Sequence, residues 1–158
     1  MIIFKHGMLS KKEKTIVENI LDECNDIYGD AYLTKNNLRL FIKENIDLVY
    51  DGLAKGDKIA YEEGNGFIYL FGWSDKAKRK YIKILTKNEN ATNRLLKTLH
   101  WHVKETLWVK VKKNNPVKRI LERNGFKFQG DRGKEVLLCR SHRPFHPIEK
   151  KEEDNEKE

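Results

Sequence analysis

A polar segment, Thr86-Lys87-Asn88-Glu89-Asn90-Ala91-Thr92-Asn93, separates two runs of different periodicity. Before it, Arg79-Lys80-Tyr81-Ile82-Lys83-Ile84-Leu85 is rich in β-branched and aromatic residues; after it, Ala91, Leu95, Leu99 and Val103, with Leu96 beside them, mark one face of a helix. A loop that delivers a helix N-terminus at the end of a strand offers unpaired N–H groups and the positive end of the helix dipole, the chemistry that holds a phosphate. Two other constellations have suggestive residue types. Cys139, His142 and His146 have spacing that suits zinc, but no fourth ligand accompanies them, and no metal is expected because structural zinc is nearly always four-coordinate. Lys110, Lys112 and Lys113, with Trp108 among them, supply the charge and aromatic surface of a nucleic-acid groove and equally fit the solvent face of a strand.

The elements that must position these residues follow from pattern. Ile2 to Lys5 is a short strand, and Ser10-Lys11-Lys12-Glu13 has capping-box spacing. The helix it opens carries Ile16, Val17, Ile20, Leu21, Cys24, Ile27 and Tyr28 on one face and stops at Gly29-Asp30. A second helical stretch begins near Thr34, buries Leu38, Phe41 and Ile42, continues through Ile46, Val49, Tyr50 and Leu53, and stops at Gly56-Asp57. Lys58 to Glu63, Phe67 to Trp73 and Arg79 to Leu85 then read as strands joined by hairpin-length separators, Gly64-Asn65-Gly66 and Ser74 to Lys78. The central helix follows, with Trp101 and His102 as packing residues, and Thr106 to Lys112 alternates strictly, with Leu107, Val109 and Val111 on one face. Asn115 is placed to cap a short helix with Pro116 at its first position, Val117, Ile120 and Leu121 toward the core, and Gly125 as the left-handed residue after it. Phe126 to Gln129 and Lys134 to Arg140 complete an antiparallel pair around Gly130-Asp131-Arg132-Gly133.

At 158 residues, 35% of them charged, the chain suits one domain with a core of its own. That domain is expected over residues 1–147, and the charged tail, 148–158, is expected to be disordered. The last ten residues hold six acids and three lysines, net −3, which leaves +11 on the rest and an attraction for anionic partners. No apolar run approaches a membrane span and the N-terminus lacks a signal-peptide core, so a cytoplasmic protein without a membrane partner is expected. Cys24 and Cys139 sit in apolar patterns and are read as reduced core residues.

The order is strand, two helices, three strands, helix, strand, helix, two strands. In this, over roughly residues 1 to 141, the chain resembles the GNAT acetyltransferase superfamily. The most specific part is Asn114 through Phe126, similar to the family's closing asparagine, short helix and Gly-Phe. The resemblance implies an α/β (α+β) fold: a mixed, mostly antiparallel central sheet flanked by about four helices, with strand four and its neighbour splayed to admit acetyl-CoA as co-substrate. In the family the loop before the central helix reads Gln or Arg, two residues, Gly, one residue, then Gly or Ala, and its N–H groups hold the coenzyme pyrophosphate. The matching positions are Lys87-Asn88-Glu89-Asn90-Ala91-Thr92. Lys87 keeps the charge, Glu89 adds a negative one, and Asn90 and Thr92 stand where the family has small residues. Asn visits left-handed conformations fairly readily, whereas β-branched Thr92 does not and is expected to crowd a phosphate unless it takes helical angles and lends its hydroxyl. The coenzyme contacts implied are Ile84, Leu85, Lys87, Asn88, Asn90, Ala91, Thr92, Asn93 and Asn114.

Many family members carry a tyrosine before Gly-Phe as general acid toward the departing thiolate; Leu121 stands at that position. The family also often places a carboxylate on the fourth strand, and Arg79 to Leu85 contains none. Glu62, Glu63 or Asp75 are the replacement bases, and Tyr69 or Tyr81 the replacement acid. Two functions stay open. One is an acetyl-CoA-dependent N-acyltransferase in which an amine, on a small molecule, a protein or a modified base, attacks the thioester directly. The other is a GNAT-fold protein without acyl transfer that binds nucleic acid or serves a larger assembly. Phage Mom-type DNA-modifying proteins, which also look like GNATs, lie between them, and the basic body would suit their substrate.

Overall fold

The computed structural model describes residues 1–24, 50, 52–72 and 79–141. Its elements are β1 (Ile2–His6), α1 (Lys11–Glu23), β2 (Lys58–Glu62), β3 (Gly66–Gly72), β4 (Lys80–Thr86), α2 (Glu89–His102), β5 (Leu107–Lys112), α3 (Val117–Arg123), β6 (Lys127–Arg132) and β7 (Glu135–Arg140). Of the expected second helix, residue 50 and residues 52–54 are helical. The rest of that helix, Trp73 to Lys78, both histidines of the zinc pattern and the charged tail lie outside the described residues.

Seven strands form one mixed sheet in the order β1-β2-β3-β4-β5-β7-β6. Every neighbouring pair is antiparallel except β4 and β5. Because successive side chains point to opposite faces, β1 to β4 feed two cores, while β5 and β7 contribute to the α2–α3 side alone. Ala60, Ile68, Leu70, Ile82, Ile84, Val109, Val111, Val136 and Leu138 pack with α2 and α3 on one face. Ile59, Tyr61, Phe67, Tyr69 and Leu85 pack with Val17, Ile20 and Leu21 of α1 on the other. The expected mixed, mostly antiparallel sheet between helices is therefore present.

Helix α1 begins as its sequence dictates. The Ser10 hydroxyl accepts the Glu13 N–H at 3.1 Å while the Glu13 carboxylate accepts the Ser10 N–H at 2.9 Å, completing the capping box. Glu13 also takes the Lys5 ammonium at 3.0 Å and the Tyr61 hydroxyl at 2.9 Å, which ties α1 to β1 and β2. The helix is capped at Cys24, which is extended at φ −94 and ψ 146; Ile27, Tyr28 and the expected stop at Gly29-Asp30 lie outside the described residues. Asp22 and Glu23 lie in its last turn with no basic residue, and acids at the negative end of the dipole oppose continuation.

Near the C-terminus, the Asn115 side chain accepts the Val117 N–H at 2.8 Å and Pro116 has helical angles, so the expected cap forms. At the far end of α3 the Gly125 N–H reaches the Glu122 carbonyl and the Phe126 N–H the Leu121 carbonyl, with Gly125 at φ +93. This double closure explains why a short helix ends in Gly-Phe: glycine makes the left-handed turn and phenylalanine packs back onto Leu121. The last hairpin differs from expectation. Gly130 to Arg132 belong to β6, a bulge between Phe128 and Gly130 absorbs the extra residue, and the turn is only Gly133-Lys134. Gly133 at φ +80 suits a two-residue hairpin, and Asp131 holds its N–H at 2.9 Å.

The parallel contact sets up the site. β4 and β5 share two rungs, Lys80↔Leu107 and Tyr81↔Trp108, both at the start of the strands. Beyond Tyr81 the pairing stops, and the strands form a wedge that opens toward their C-terminal ends. Since the strands are parallel, the helices that follow them, α2 after β4 and α3 after β5, both begin at that mouth.

Candidate active site

At the mouth of the wedge, Thr86 ends β4 and Asn88 caps α2. Asn88 is extended, at φ −161, and its Oδ1 accepts the Ala91 N–H at 2.9 Å. Its carbonyl accepts the Thr92 N–H at 3.1 Å and the Thr92 hydroxyl at 2.9 Å. The Lys87 N–H goes to the Asn65 carbonyl at 2.8 Å, at the tip of the β2–β3 hairpin. That hairpin comes so near that a Cβ on Gly66 would lie 2.6 Å from the Leu85 carbonyl oxygen. Among the described residues no carbonyl takes the N–H groups of Asn88, Glu89 and Asn90, and all three residues are exposed beside Lys87. Three free donors, the positive end of a 14-residue helix and a lysine form an anion seat.

Each replacement in the loop has a specific placement. Glu89 is joined to Arg123 of α3 at 2.7 Å, so its charge is countered within the site. Thr92 does have helical angles, but it is fully buried, and its hydroxyl meets Thr86 Oγ1 at 2.6 Å instead of facing the loop's outer surface. It therefore neither crowds the anion seat nor lends it a donor, because the fourth residue of α2 faces the sheet. Ala91 is likewise buried. Asn93 accepts the Asn124 side-chain N–H at 2.9 Å and links α2 to α3. Ile84 and Leu85 point into opposite cores, so only their backbone lies along the wedge. Asn114 is exposed on the β5 side and lines a cavity of about 310 Å³ with Lys113, Lys118 and Arg119.

The acid–base candidates are not brought together. Glu62 is gripped by Arg94 of α2 at 2.7 Å, with the N-terminal amine 3.8 Å away, on the α2 face of the sheet. Glu63 is exposed beyond the end of β2. Tyr69 lies on the α1 face, nearly buried, and its hydroxyl donates to Asp57 at 2.6 Å. Burial, then the Asp57 carboxylate, pushes its ionisation well above the usual tyrosine range. The space for this contact exists because residue 52 is glycine: a Cβ there would lie 2.3 Å from Asp57 Oδ2. Tyr81 is only half-buried and stands on the last shared rung, opposite Trp108, with its ring 6.3 Å from that of Phe71. Asp75 is outside the described residues.

Other expectations change in the folded chain. Trp101 is 75% exposed rather than packed, with the Lys104 ammonium 5.6 Å from its ring centroid, whereas His102 stacks on Phe4 at 4.6 Å. Lys113 is bound to Asp131 at 2.8 Å, and Lys112 stands opposite Glu135 in the ladder. Both cysteines are free thiols and buried, and burial raises the Cys139 ionisation despite nearby Arg79. Among the described residues no cluster of metal-ligating side chains occurs, and no helix is long and apolar enough to cross a membrane. Arg94, Arg123, Asp57 and the Thr86–Thr92 pair carry no local signal in the sequence, since each acts through a partner six or more residues away.

No family model matches the chain, and no curated protein matches it. Solved structures do match along most of its length. The protein PH1933 from Pyrococcus horikoshii OT3 is 20% identical, with 91% of this chain and 100% of that one covered at a TM-score of 0.55. The PaiA N-acetyltransferase from Thermoplasma acidophilum, solved in complex with coenzyme A, is 15% identical over 89% and 99% of the two chains, with a TM-score of 0.61. An acetyltransferase of the GNAT family from Listeria monocytogenes 4b F2365 is 9% identical over 88% and 94%, with a TM-score of 0.52. The chain has a GNAT superfamily fold.

Proposed function

We propose that the protein is an acetyl-CoA-dependent N-acyltransferase, with an amine attacking the thioester directly. The observation that carries this reading is the wedge between β4 and β5, open toward an anion seat of three free N–H groups. The residues present fit the coenzyme: the N–H groups of Asn88, Glu89 and Asn90 would hold its pyrophosphate, Lys87 adds charge, and Asn114 stands on the opposite side of the mouth. Acetyl-CoA would supply the activated acyl group. Tyr81, at the apex of the wedge, is the proposed acid, because the Tyr69 hydroxyl is engaged by Asp57 and holds its proton too firmly. Glu62 is bound to Arg94 across the sheet, so Asp75 or solvent takes the proton of the amine. Positioning supplies most of the rate in such a site. The fold of PaiA, which binds coenzyme A, lends the reading general support.

A paired substitution tests it. Asn88 is extended, the conformation a residue before proline prefers, and Glu89 is the first residue of α2, where proline is tolerated. Glu89→Pro therefore removes one donor of the seat with little harm to the helix, while Glu89→Gln removes the same charge and keeps the donor. Calorimetry should show coenzyme A bound more weakly by Glu89→Pro than by Glu89→Gln, by roughly tenfold to a hundredfold for one lost hydrogen bond to an anion. Equal affinities would remove the N–H groups from the site, and a wild-type protein indifferent to millimolar coenzyme would refute the enzyme reading.

A further inference from the structure

We infer that the Thr86–Thr92 hydroxyl pair is the positioning device of the anion seat, replacing in this chain the close backbone contact that a small residue at position 92 would allow. The inference rests on the coenzyme reading above. Both threonines are fully buried, 2.6 Å apart, one at the last position of β4 and one in the first turn of α2. A hydroxyl has a single proton, so the directions are fixed: the Thr92 hydroxyl donates to the Asn88 carbonyl, and the Thr86 hydroxyl donates to Thr92. The relay runs from the strand end, through the helix, to the carbonyl of the N-cap residue. Asn88 begins the row of free N–H groups, so the relay sets how those groups are presented over the wedge. From its paired position on β3, Gly66 stands close against Thr86: a Cβ on Gly66 would lie 2.7 Å from the Thr86 Cα and 2.8 Å from its Cγ2. Thr86 can therefore move little, and Thr92 is held to it by a bond shielded from water, where such bonds are stronger.

Neither threonine touches the anion, so both are positioning residues, and the test must separate placement of the seat from stability. Thr92→Val keeps the shape and removes both the contact with Thr86 and the bond to the Asn88 carbonyl, whereas Thr86→Val with Thr92→Val removes both hydroxyls. Coenzyme A affinity is read by calorimetry and stability by thermal unfolding. Thr92→Val should lose affinity by about threefold to thirtyfold and lower the melting temperature. The double variant should bind as weakly as Thr92→Val, and Thr92→Ser, which restores the relay, should regain the affinity and the melting temperature of the wild type. A double variant that binds coenzyme A like the wild type, or a Thr92→Ser that fails to restore binding, overturns the inference. Absence of binding by the wild type would instead overturn the coenzyme reading on which it rests.

Discussion

Replacing Leu121 by tyrosine would put a phenol where many GNAT enzymes carry their acid, and the structure says it cannot serve there. Leu121 is fully buried in the α2–α3 core, and its carbonyl accepts the Phe126 N–H that closes α3. A tyrosine must overfill this position, at a cost of about 1 to 3 kcal/mol. Its hydroxyl would also be buried among apolar side chains without a partner, adding roughly 1 to 3 kcal/mol. The midpoint, about 4 kcal/mol, is below the 5 to 15 kcal/mol expected for a domain and corresponds to a drop of roughly 8 to 16 °C in melting temperature. The variant should therefore fold at 20 °C or so but melt early, and thiol release from acetyl-CoA with a panel of amines should not rise. Turnover that increases with the melting point unchanged would mean that residue 121 faces the thioester, and the reasoning from burial would be wrong. Tyr81→Phe supplies the complement, since loss of turnover with coenzyme A binding retained is expected of the proposed acid.

Acid should weaken the junction of α1 with the sheet. The Ser10 N–H, followed by Lys5 and Tyr61, holds the Glu13 carboxyl down at about 2 against 4.5 unperturbed. A depressed carboxyl stabilises the fold above its unfolded value and loses that contribution as pH falls toward 2, so Glu13→Gln should cost about 1 kcal/mol after solvent screening at pH 7 and close to nothing at pH 2. Equal acid unfolding curves would refute this. Arg140 is buried; among the described residues its Nε has no partner and the bond of its guanidinium to the Val103 carbonyl is long at 3.3 Å, while burial lowers its ionisation. Arg140→Met should accordingly leave stability within about 1 kcal/mol of wild type or raise it, and a loss beyond 2 kcal/mol or so by urea denaturation would show the cation to be structurally required. Because Lys113 is neutralised by Asp131 and Lys112 faces Glu135, neutralising Lys110, Lys112 and Lys113 together should not change the salt dependence of any DNA binding. A flatter slope in mobility shifts would restore that stripe as an interface.

Much of the fold was legible because it rests on short-range rules. Period-2 alternation located the described strands to within a few residues. Ser10 to Glu13 announced a cap, and Asn115-Pro116 through Gly125-Phe126 described a whole short helix with both ends. The errors came where a longer-range term decides. The glycine-rich Gly130 to Gly133 hid a bulge that only the β7 register reveals. The site was legible in outline and not in detail. A strand, a polar loop and a helix named the anion seat, but nothing local says that Thr92 turns inward, that Arg123 returns from α3 to Glu89, or that Asp57 takes the Tyr69 hydroxyl. Trp101 was misread because helical spacing alone does not tell a solvent-facing aromatic from a core one.

The two rungs between β4 and β5 also govern how the molecule comes apart. Every other strand junction is an antiparallel ladder of five or more paired positions, so the sheet consists of a β1–β4 meander and a β5–β7–β6 ribbon stitched along a seam two pairs long. Side-chain packing of α2 and α3 across the seam, including Arg123 to Glu89 and Asn124 to Asn93, must supply most of the cohesion that backbone pairing supplies elsewhere. The two halves thus have the makings of separate cooperative units, with the seam as the line of lowest local stability. A molecule of that construction can breathe by parting its halves without melting either, and amide exchange should be fastest along the flanks of the wedge and slowest in the interior of the meander.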